Sequence, residues 1–271
     1  MKRVIDHEGC REPEGLSPKE MQLDRGRAIF AFKRKIKVTV GRRYLGVAWL
    51  VLNPVITALI YFFVFTVIRS NPNSTSLLIG ICMFAIFSSS FKSGVNSLVD
   101  FSGGLRAERV RTRVLTMSMV GYRGFESVIQ TSGIAAILIL GLGVGWEGII
   151  SLVFLSLIMA FIAEGLGQNL SILAKRVPDI SNIINHLLLL MFFASPVLYP
   201  MSMTSGMHYR VNEYNPFTYF VEAVRGYAEV ESAFADLWNV QTKLIVGFLV
   251  ILAFRGYATL DRQRWEVSSW S

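Results

Sequence analysis

The sequence predicts an all-α integral membrane protein with six transmembrane helices, an N-terminal amphipathic interface helix, and a re-entrant external helical segment before the last span. Three observations predict it. The 271 residues are 52% hydrophobic and 17% charged, with a mean hydropathy of +0.47, outside the usual range of a soluble domain of this length. Between Gly46 and Ile68 no side chain is charged, and ~30 Å of hydrocarbon takes about 20 helical residues to cross. Lys and Arg gather beside apolar runs, beginning with Lys33, Arg34, Lys35, Lys37, Arg42 and Arg43 before that first span, the charge bias of cytoplasmic flanks. The first helix therefore runs outward, and the later ones alternate.

The same placement argues against a nucleic-acid partner. The formal charge of +8 lies in short runs next to apolar segments, which suits anionic lipid headgroups, and not along a soluble face. Of the two cysteines, Cys10 is expected in the cytoplasm and Cys82 within a span, so no disulfide framework is expected. The polar, charged N-terminal stretch has no apolar core of a signal peptide.

Residues 1–45 are expected to form a cytoplasmic tail and the interface helix. Met1 to Gly15 has no periodicity and reads as a mobile tail. Ser17-Pro18-Lys19-Glu20 is a capping box with proline at the first helical position. In the helix that follows, Met21, Ala28, Phe32, Ile36 and Val40 share a face, while Arg25, Arg27, Arg34, Lys35 and Lys37 occupy others, the pattern of a helix lying in the cytoplasmic interface.

The transmembrane domain, 46–260, opens with a span holding Asn53-Pro54, whose freed carbonyl neighbouring helices can satisfy. Arg69 to Ser76 is an external link, and Leu77–Val99 returns inward past Ser88, Ser90 and Lys92. The segment 100–126 is cytoplasmic and rich in arginine, as the charge rule requires. Val128–Val144 runs outward, Gly145-Trp146-Glu147-Gly148 turns, and Ile149–Leu173 runs back to a second cytoplasmic segment, 174–182. Ile180–Leu198 leads out to an acidic, aromatic external segment, 201–239. There Asn215-Pro216 caps a helix, Phe217–Tyr227, too short to span, with Phe217, Phe220, Val221 and Val224 on one side; it fits a re-entrant element dipping into the outer leaflet. Val240–Leu260 is the last span, and 261–271 is a cytoplasmic tail bearing Arg262 and Arg264. No internal repeat is visible, which argues against a secondary transporter made of duplicated halves.

The run Arg42-Arg43-Tyr44-Leu45-Gly46-Val47-Ala48-Trp49-Leu50-Val51-Leu52-Asn53-Pro54 resembles the opening of membrane subunits of polysaccharide-exporting ATP-binding-cassette transporters, the O-antigen, capsule and teichoic-acid exporters. So do Arg176-Val177-Pro178-Asp179-Ile180, Ser195-Pro196-Val197-Leu198-Tyr199-Pro200, and Asn215-Pro216-Phe217-Thr218 with Arg225 downstream. These blocks stand in the family's order. The family more often has Arg-Phe-Arg-Asp where this chain has Arg176-Val177-Pro178-Asp179, and its Phe-Pro-Arg-Glu block is absent here.

The resemblance implies a permease subunit of the bacterial cytoplasmic (inner) membrane, multi-pass, with both termini in the cytoplasm. It implies a homodimer with a channel between the copies, moving a polysaccharide, lipid-linked, outward. It further implies two copies of a separate ATPase subunit that bind ATP and Mg, this chain holding no cofactor. Independently, no G-x-x-x-x-G-K-[ST] run occurs, so this chain is read as a transport subunit and not an enzyme. Coupling to the ATPase falls, by position, on Arg106, Arg109, Arg111 and Arg113 and, by motif, on Arg176 and Asp179; a topogenic or headgroup role for these arginines stands equally. A drug or lipid exporter of the same superfamily and a passive channel are the alternatives. An enzyme is disfavoured by the lack of clustered ionisable residues within the spans.

Aromatic faces suit a sugar path, and Tyr61, Phe65, Phe192, Tyr199, Tyr214, Phe217 and Tyr219 fall near the outer half of the bundle; an interface belt or core packing is the competing reading. Lys92 and Glu164 sit at similar depth on two inward-running helices and are expected to pair, with Lys92 snorkelling to the surface as the alternative. His186 has no second ligand at metal spacing, so no metal site is expected and a packing hydrogen bond is preferred.

Overall fold

The computed structural model describes residues 4–6, 9–11, 18–41, 46, 48–68, 74–107 and 112–268, with side chains described over 18–38, 46, 48–65, 74–99 and 114–258. Apart from turns and short irregular links, the described chain is helical except for one antiparallel hairpin, β1 (Val4–Asp6) and β2 (Gly9–Arg11), with Ile5 opposite Cys10. The N-terminal stretch, aperiodic in sequence, thus holds a local pairing.

Helix α1 is Pro18–Gly41, α2 is Ala48–Phe62 continued by a π-helical turn over Phe63–Ile68, α3 is Ser74–Ala107 and α4 is Thr112–Leu142. Then come α5 (Trp146–Gln168), the short α6 (Ser171–Arg176) and α7 (Ile180–Ala194). The remaining helices are α8 (Gly206–Glu213), α9 (Pro216–Tyr227), α10 (Phe234–Leu237) and α11 (Val240–Ser268). Five of these helices are long and apolar enough to cross a membrane: α2 with the start of its π turn, α3, α4, α5 and α11. The sixth expected span, α7, has 15 residues and rises about 22 Å.

Helix α3 is the post of the bundle. Leu77, Leu78, Ile79, Ile81, Cys82, Met83, Phe84 and Ile86 are all buried, and a helix apolar on every side belongs in the interior. Helix α5 crosses it at two glycines. A Cβ on Gly94 would lie 2.1 Å from the Glu164 carbonyl oxygen, and one on Gly167 would lie 2.2 Å from that of Phe91. Helix α11 meets α5 the same way, with a Cβ on Gly256 falling 1.9 Å from the Gly165 carbonyl oxygen. Lipid tails drive no hydrophobic association between spans, so backbone approach of this kind supplies the packing. Asn169 Nδ2 fastens the joint by donating to the carbonyls of Gly165 and Leu252, each at 3.0 Å.

Two expectations change. The segment 100–126, read as a cytoplasmic loop, is largely helix: α3 continues to Ala107 and α4 begins at Thr112, leaving only 108–111 outside the described residues. Val114, Met119 and Tyr122 are buried on the early turns of α4, a pattern that the dense arginines masked in the sequence. Helix α3, at 34 residues, is about 50 Å long and so exceeds the ~30 Å core. The expected span to Leu198 ends instead at Ala194, because Pro196 disfavours a helical conformation at Ser195. The chain from Ser195 to Leu198 is irregular and buried, a form of backbone that membrane proteins allow only where protein covers it.

Helix α1 packs on α4. Its predicted apolar face is turned to α4, with Ala28 buried and the Phe32 ring edge-on to Phe125 at 6.1 Å, while Val40 has no described side chain.

Candidate functional site

Two buried charge centres and an aromatic block between α2, α3, α7 and α9 make up the candidate site. The first centre is a clasp at the α9 end. Asn215 caps α9 as its sequence predicts: its side chain accepts from Phe217 N at 3.1 Å, and Pro216 takes the first helical position. Asn215 Nδ2 also donates to Ser195 Oγ at 2.8 Å, and Asn212 Nδ2 donates to the Ala194 carbonyl at 2.8 Å. Both residues thereby hold the C-terminus of α7, where carbonyls lack helical partners.

One turn further along, Glu222 and Arg225 face each other with both side chains at 0% exposure, Nη1 to Oε1 2.7 Å. Arg225 donates to Pro196 O at 2.8 Å and to Ser76 O and Val197 O at 3.1 Å. Glu222 accepts from Met201 N at 3.1 Å and Ala233 N at 2.8 Å. The irregular stretch after α7 is satisfied by this arginine, and the start of α3 is tied into the same knot. Gly80 makes room, since a Cβ there would fall 1.9 Å from Val197 O. The sequence showed the Glu222-x-x-Arg225 spacing but offered no sign of which carbonyls it would reach.

The second centre lies at the other end of the bundle. Glu164 of α5 has a side chain at 1% exposure, and its cation is Arg123 of α4, Nε to Oε1 3.7 Å. Arg123 Nη1 reaches Glu126 on its own helix at 2.5 Å. Ser93 Oγ and Tyr257 Oη donate to the two oxygens of Glu164, each at 3.3 Å. The expected pairing of Lys92 with Glu164 is therefore corrected: Lys92 and Ser93 are adjacent on α3, so they point in different directions, and Ser93 is the one turned to Glu164. Arg123 lies within 100–126, which the sequence suggests is a cytoplasmic loop, and its place on α4 is what brings it to Glu164.

The aromatic block joins Tyr61 to Phe192 at 5.1 Å, Phe192 to Phe84 at 5.1 Å, and Phe217 to Phe84 and Phe87, each at 5.5 Å. Phe84, Phe87 and Phe91 were missed, although their spacing along one stripe of α3 was readable. Of the expected channel aromatics, Phe192 and Phe217 are buried in this block, and Tyr61 and Phe65 are half-buried at its edge. Tyr219 is buried elsewhere, with Met201, Ala233 and Leu237, and its hydroxyl donates to Glu213 O. Tyr214 is exposed, and Tyr199 pairs its hydroxyl with His208 Nε2 at 2.8 Å. Within one chain, then, Phe192, Phe217 and Tyr219 serve packing and have no face free for a passing sugar.

Of the expected coupling residues, Arg109 and Arg111 lie outside the described residues, and Arg106 and Arg113 lie on helix ends whose side chains are not described. Arg176 ends α6 and Asp179 precedes α7, both exposed on the turn between them, where Asp179 O accepts from Asn182 N and Ile183 N at 3.0 Å. Ser181 Oγ donates to Asn96 Oδ1 at 2.9 Å, which anchors this turn to α3. Among the described residues no group of His, Cys, Asp and Glu is placed to hold a metal.

A protein with these long apolar helices, glycine-packed and multi-pass, matches a known family in sequence. Residues 28–228 match the family model described as ABC-2 type transporter. The chain is also 30% identical over 191 residues to the O-antigen export system permease protein RfbA of Myxococcus xanthus, covering 68% of this chain and 72% of that one. The match takes in both buried charge partners of α4 and α5 and the α9 clasp, and the chain belongs to the ABC-2 type transporter family.

Proposed function

We propose that this chain is the permease subunit of an ATP-driven exporter that moves a polysaccharide of the O-antigen kind, lipid-linked, outward across the bacterial cytoplasmic membrane. The single observation that carries this reading is the likeness to an O-antigen export permease over 191 residues, within a family match covering most of the chain. Two copies enclose the path, and two copies of a separate ATPase bind ATP and Mg beneath them. Both termini lie in the cytoplasm, and six helices cross, with the 15-residue α7 extended by the buried Ser195–Leu198.

The positions of the aromatic residues refine the path. Tyr61 and Phe65 stand at the edge of the aromatic block and Tyr214 is exposed, so these three are the residues available to a sugar face. The buried rings behind them hold α2, α3, α7 and α9 together. The exposed turn of Arg176 and Asp179, anchored on α3 through Ser181, is the described element best placed to receive the ATPase stroke.

The test is genetic and biochemical. Tagged chain is expected to co-purify with a stoichiometric ATPase, and deleting that ATPase is expected to abolish surface polysaccharide while lipid-linked glycan accumulates inside. Unchanged surface polysaccharide after deletion of the ATPase would overturn the reading.

A further inference from the structure

Glycine contacts divide the bundle into a locked part and a looser part. Helices α3, α5 and α11 are locked, because a Cβ at Gly94, Gly167 or Gly256 would fall within 1.9 to 2.2 Å of a backbone carbonyl oxygen on the facing helix. Helix α4 meets α5 differently. A Cβ at Gly124 would sit 3.6 Å from the Phe161 ring and 3.7 Å from Leu157 Cδ1, an ordinary side-chain contact with no backbone interlocked at that glycine. Helix α1 goes with α4, through Phe32 on Phe125 and through Lys35 Nζ, 4.6 Å from the centre of the Tyr122 ring.

Arg123 lies on that contact between α4 and α5. Its Nη1 is engaged with Glu126, while its buried Nε–H has no hydrogen-bond partner and stands 3.7 Å from Glu164 Oε1. A hydrogen bond there needs a separation near 2.8 Å, so a relative shift of about 1 Å would make it. A buried arginine cannot leave one carboxylate without finding another, and the two within reach stand one on α4 and one on α5. Glu164 is placed to receive it, since its present donors, Ser93 and Tyr257, stand at a long 3.3 Å.

We propose that Arg123 is a positioning residue that latches the α1–α4 unit to the α3–α5–α11 block, trading its grip between Glu126 and Glu164 as the transporter cycles. The proposal rests on the reading of the chain as an ATP-driven permease. Motion of this kind is a shear of packed helices, and a fork-shaped guanidinium can hold one carboxylate while reaching for the next.

The experiment places spin labels at Met117 on α4 and Phe254 on α11, both exposed, in labelled chain diluted with unlabelled chain, and reads their distance in the purified complex with its ATPase, nucleotide-free and vanadate-trapped. Wild type is expected to give two distances whose proportions change with nucleotide. E126Q is expected to shift the proportions toward the Glu164-bound state, and E164Q toward the Glu126-bound state, with export in cells at least about tenfold lower in both because a latch held at one site stalls the cycle. A purely structural role would move the two variants in the same direction. If E164Q fails to accumulate, R123K is the second variant: lysine keeps the charge but lacks the extended fork that holds one carboxylate while reaching the other, and it is expected to keep the chain folded but fix one distance.

Opposite shifts in E126Q and E164Q, or one fixed distance in R123K, support the latch. Equal shifts, no shift, or wild-type export in E126Q and R123K would overturn it. The distance is read without glycan, so failure to find a polysaccharide substrate would fall on the proposed function and leave this measurement standing.

Discussion

Arg225 makes four hydrogen bonds of 2.7 to 3.1 Å inside the α9 clasp, whereas Arg123 makes a single ion-pair bond and holds its Nε–H 3.7 Å from the second carboxylate. Both are buried arginines with a glutamate three residues away on the same helix. The difference lies in what the neighbouring backbone provides. Beside α9 the chain after α7 is irregular, so the carbonyls of Pro196 and Val197 converge on the guanidinium, joined by that of Ser76 in the first turn of α3. Around Arg123 the facing helices are regular, and the partners it reaches are the side chains of Glu126 and Glu164. An arginine with a glutamate three residues away, after it on α4 and before it on α9, therefore sits in a many-bonded joint in one place and a sparser one in the other.

The harshest way to test this contrast is to replace each arginine by methionine, which keeps the stem and removes the charge. R225M leaves Glu222 fully buried without a counter-ion and strips three carbonyls, for an expected loss of about 3 to 5 kcal/mol. R123M is expected to cost about 1.5 to 3 kcal/mol, since Glu164 keeps its bonds from Ser93 and Tyr257. Thermal unfolding of both in the same detergent checks the order. Equal losses would erase the distinction between the two centres.

Glycine substitutions sharpen the comparison at smaller cost. G80A would push a methyl to 1.9 Å from Val197 O and 3.0 Å from Arg225 Nη2, with both backbones pinned, for an expected loss of about 1 to 3 kcal/mol. G124A finds 3.6 Å of clearance to Phe161 and is expected to stay within about 0.5 kcal/mol of wild type. Unfolding temperatures of the pair, read side by side, decide whether the α4–α5 contact is as soft as its spacing implies.

The sequence made the long apolar helices legible because their signal is local: hydrocarbon thickness demands a run, and the run of Gly46 to Ile68 shows it. The cap of α9 was legible for the same reason, since Asn215-Pro216 acts on its own next turn. Partnerships across the fold were not. Ser93, Arg123, Glu164 and Tyr257 come from four helices, and no pattern in the chain says which charge meets which. Lys92 is the conspicuous charge within an apolar run, but helix rotation turns its neighbour Ser93 to the face of Glu164 instead. The length of α3 and α4 was hidden for a related reason: arginines beyond the hydrocarbon resemble a loop in hydropathy, whereas a helix continues wherever its buried stripe, here Val114, Met119 and Tyr122, continues.

The mildest change bears on how loosely the second centre is held. Tyr257 Oη lies 3.0 Å from the Phe161 carbonyl and 3.3 Å from Glu164 Oε2, so a single O–H serves two acceptors and satisfies neither fully. Removing it in Y257F takes away one interhelical hydrogen bond, and such bonds within membranes average ~0.6 kcal/mol. If the Glu164 site were a tight clasp like that of Glu222, loss of one donor would expose a buried acceptor and cost several times more. A shift in unfolding temperature near the limit of detection is therefore expected for Y257F. A loss approaching that of R225M would mean that Glu164 is held as firmly as Glu222, and that α4 has no second resting place on α5.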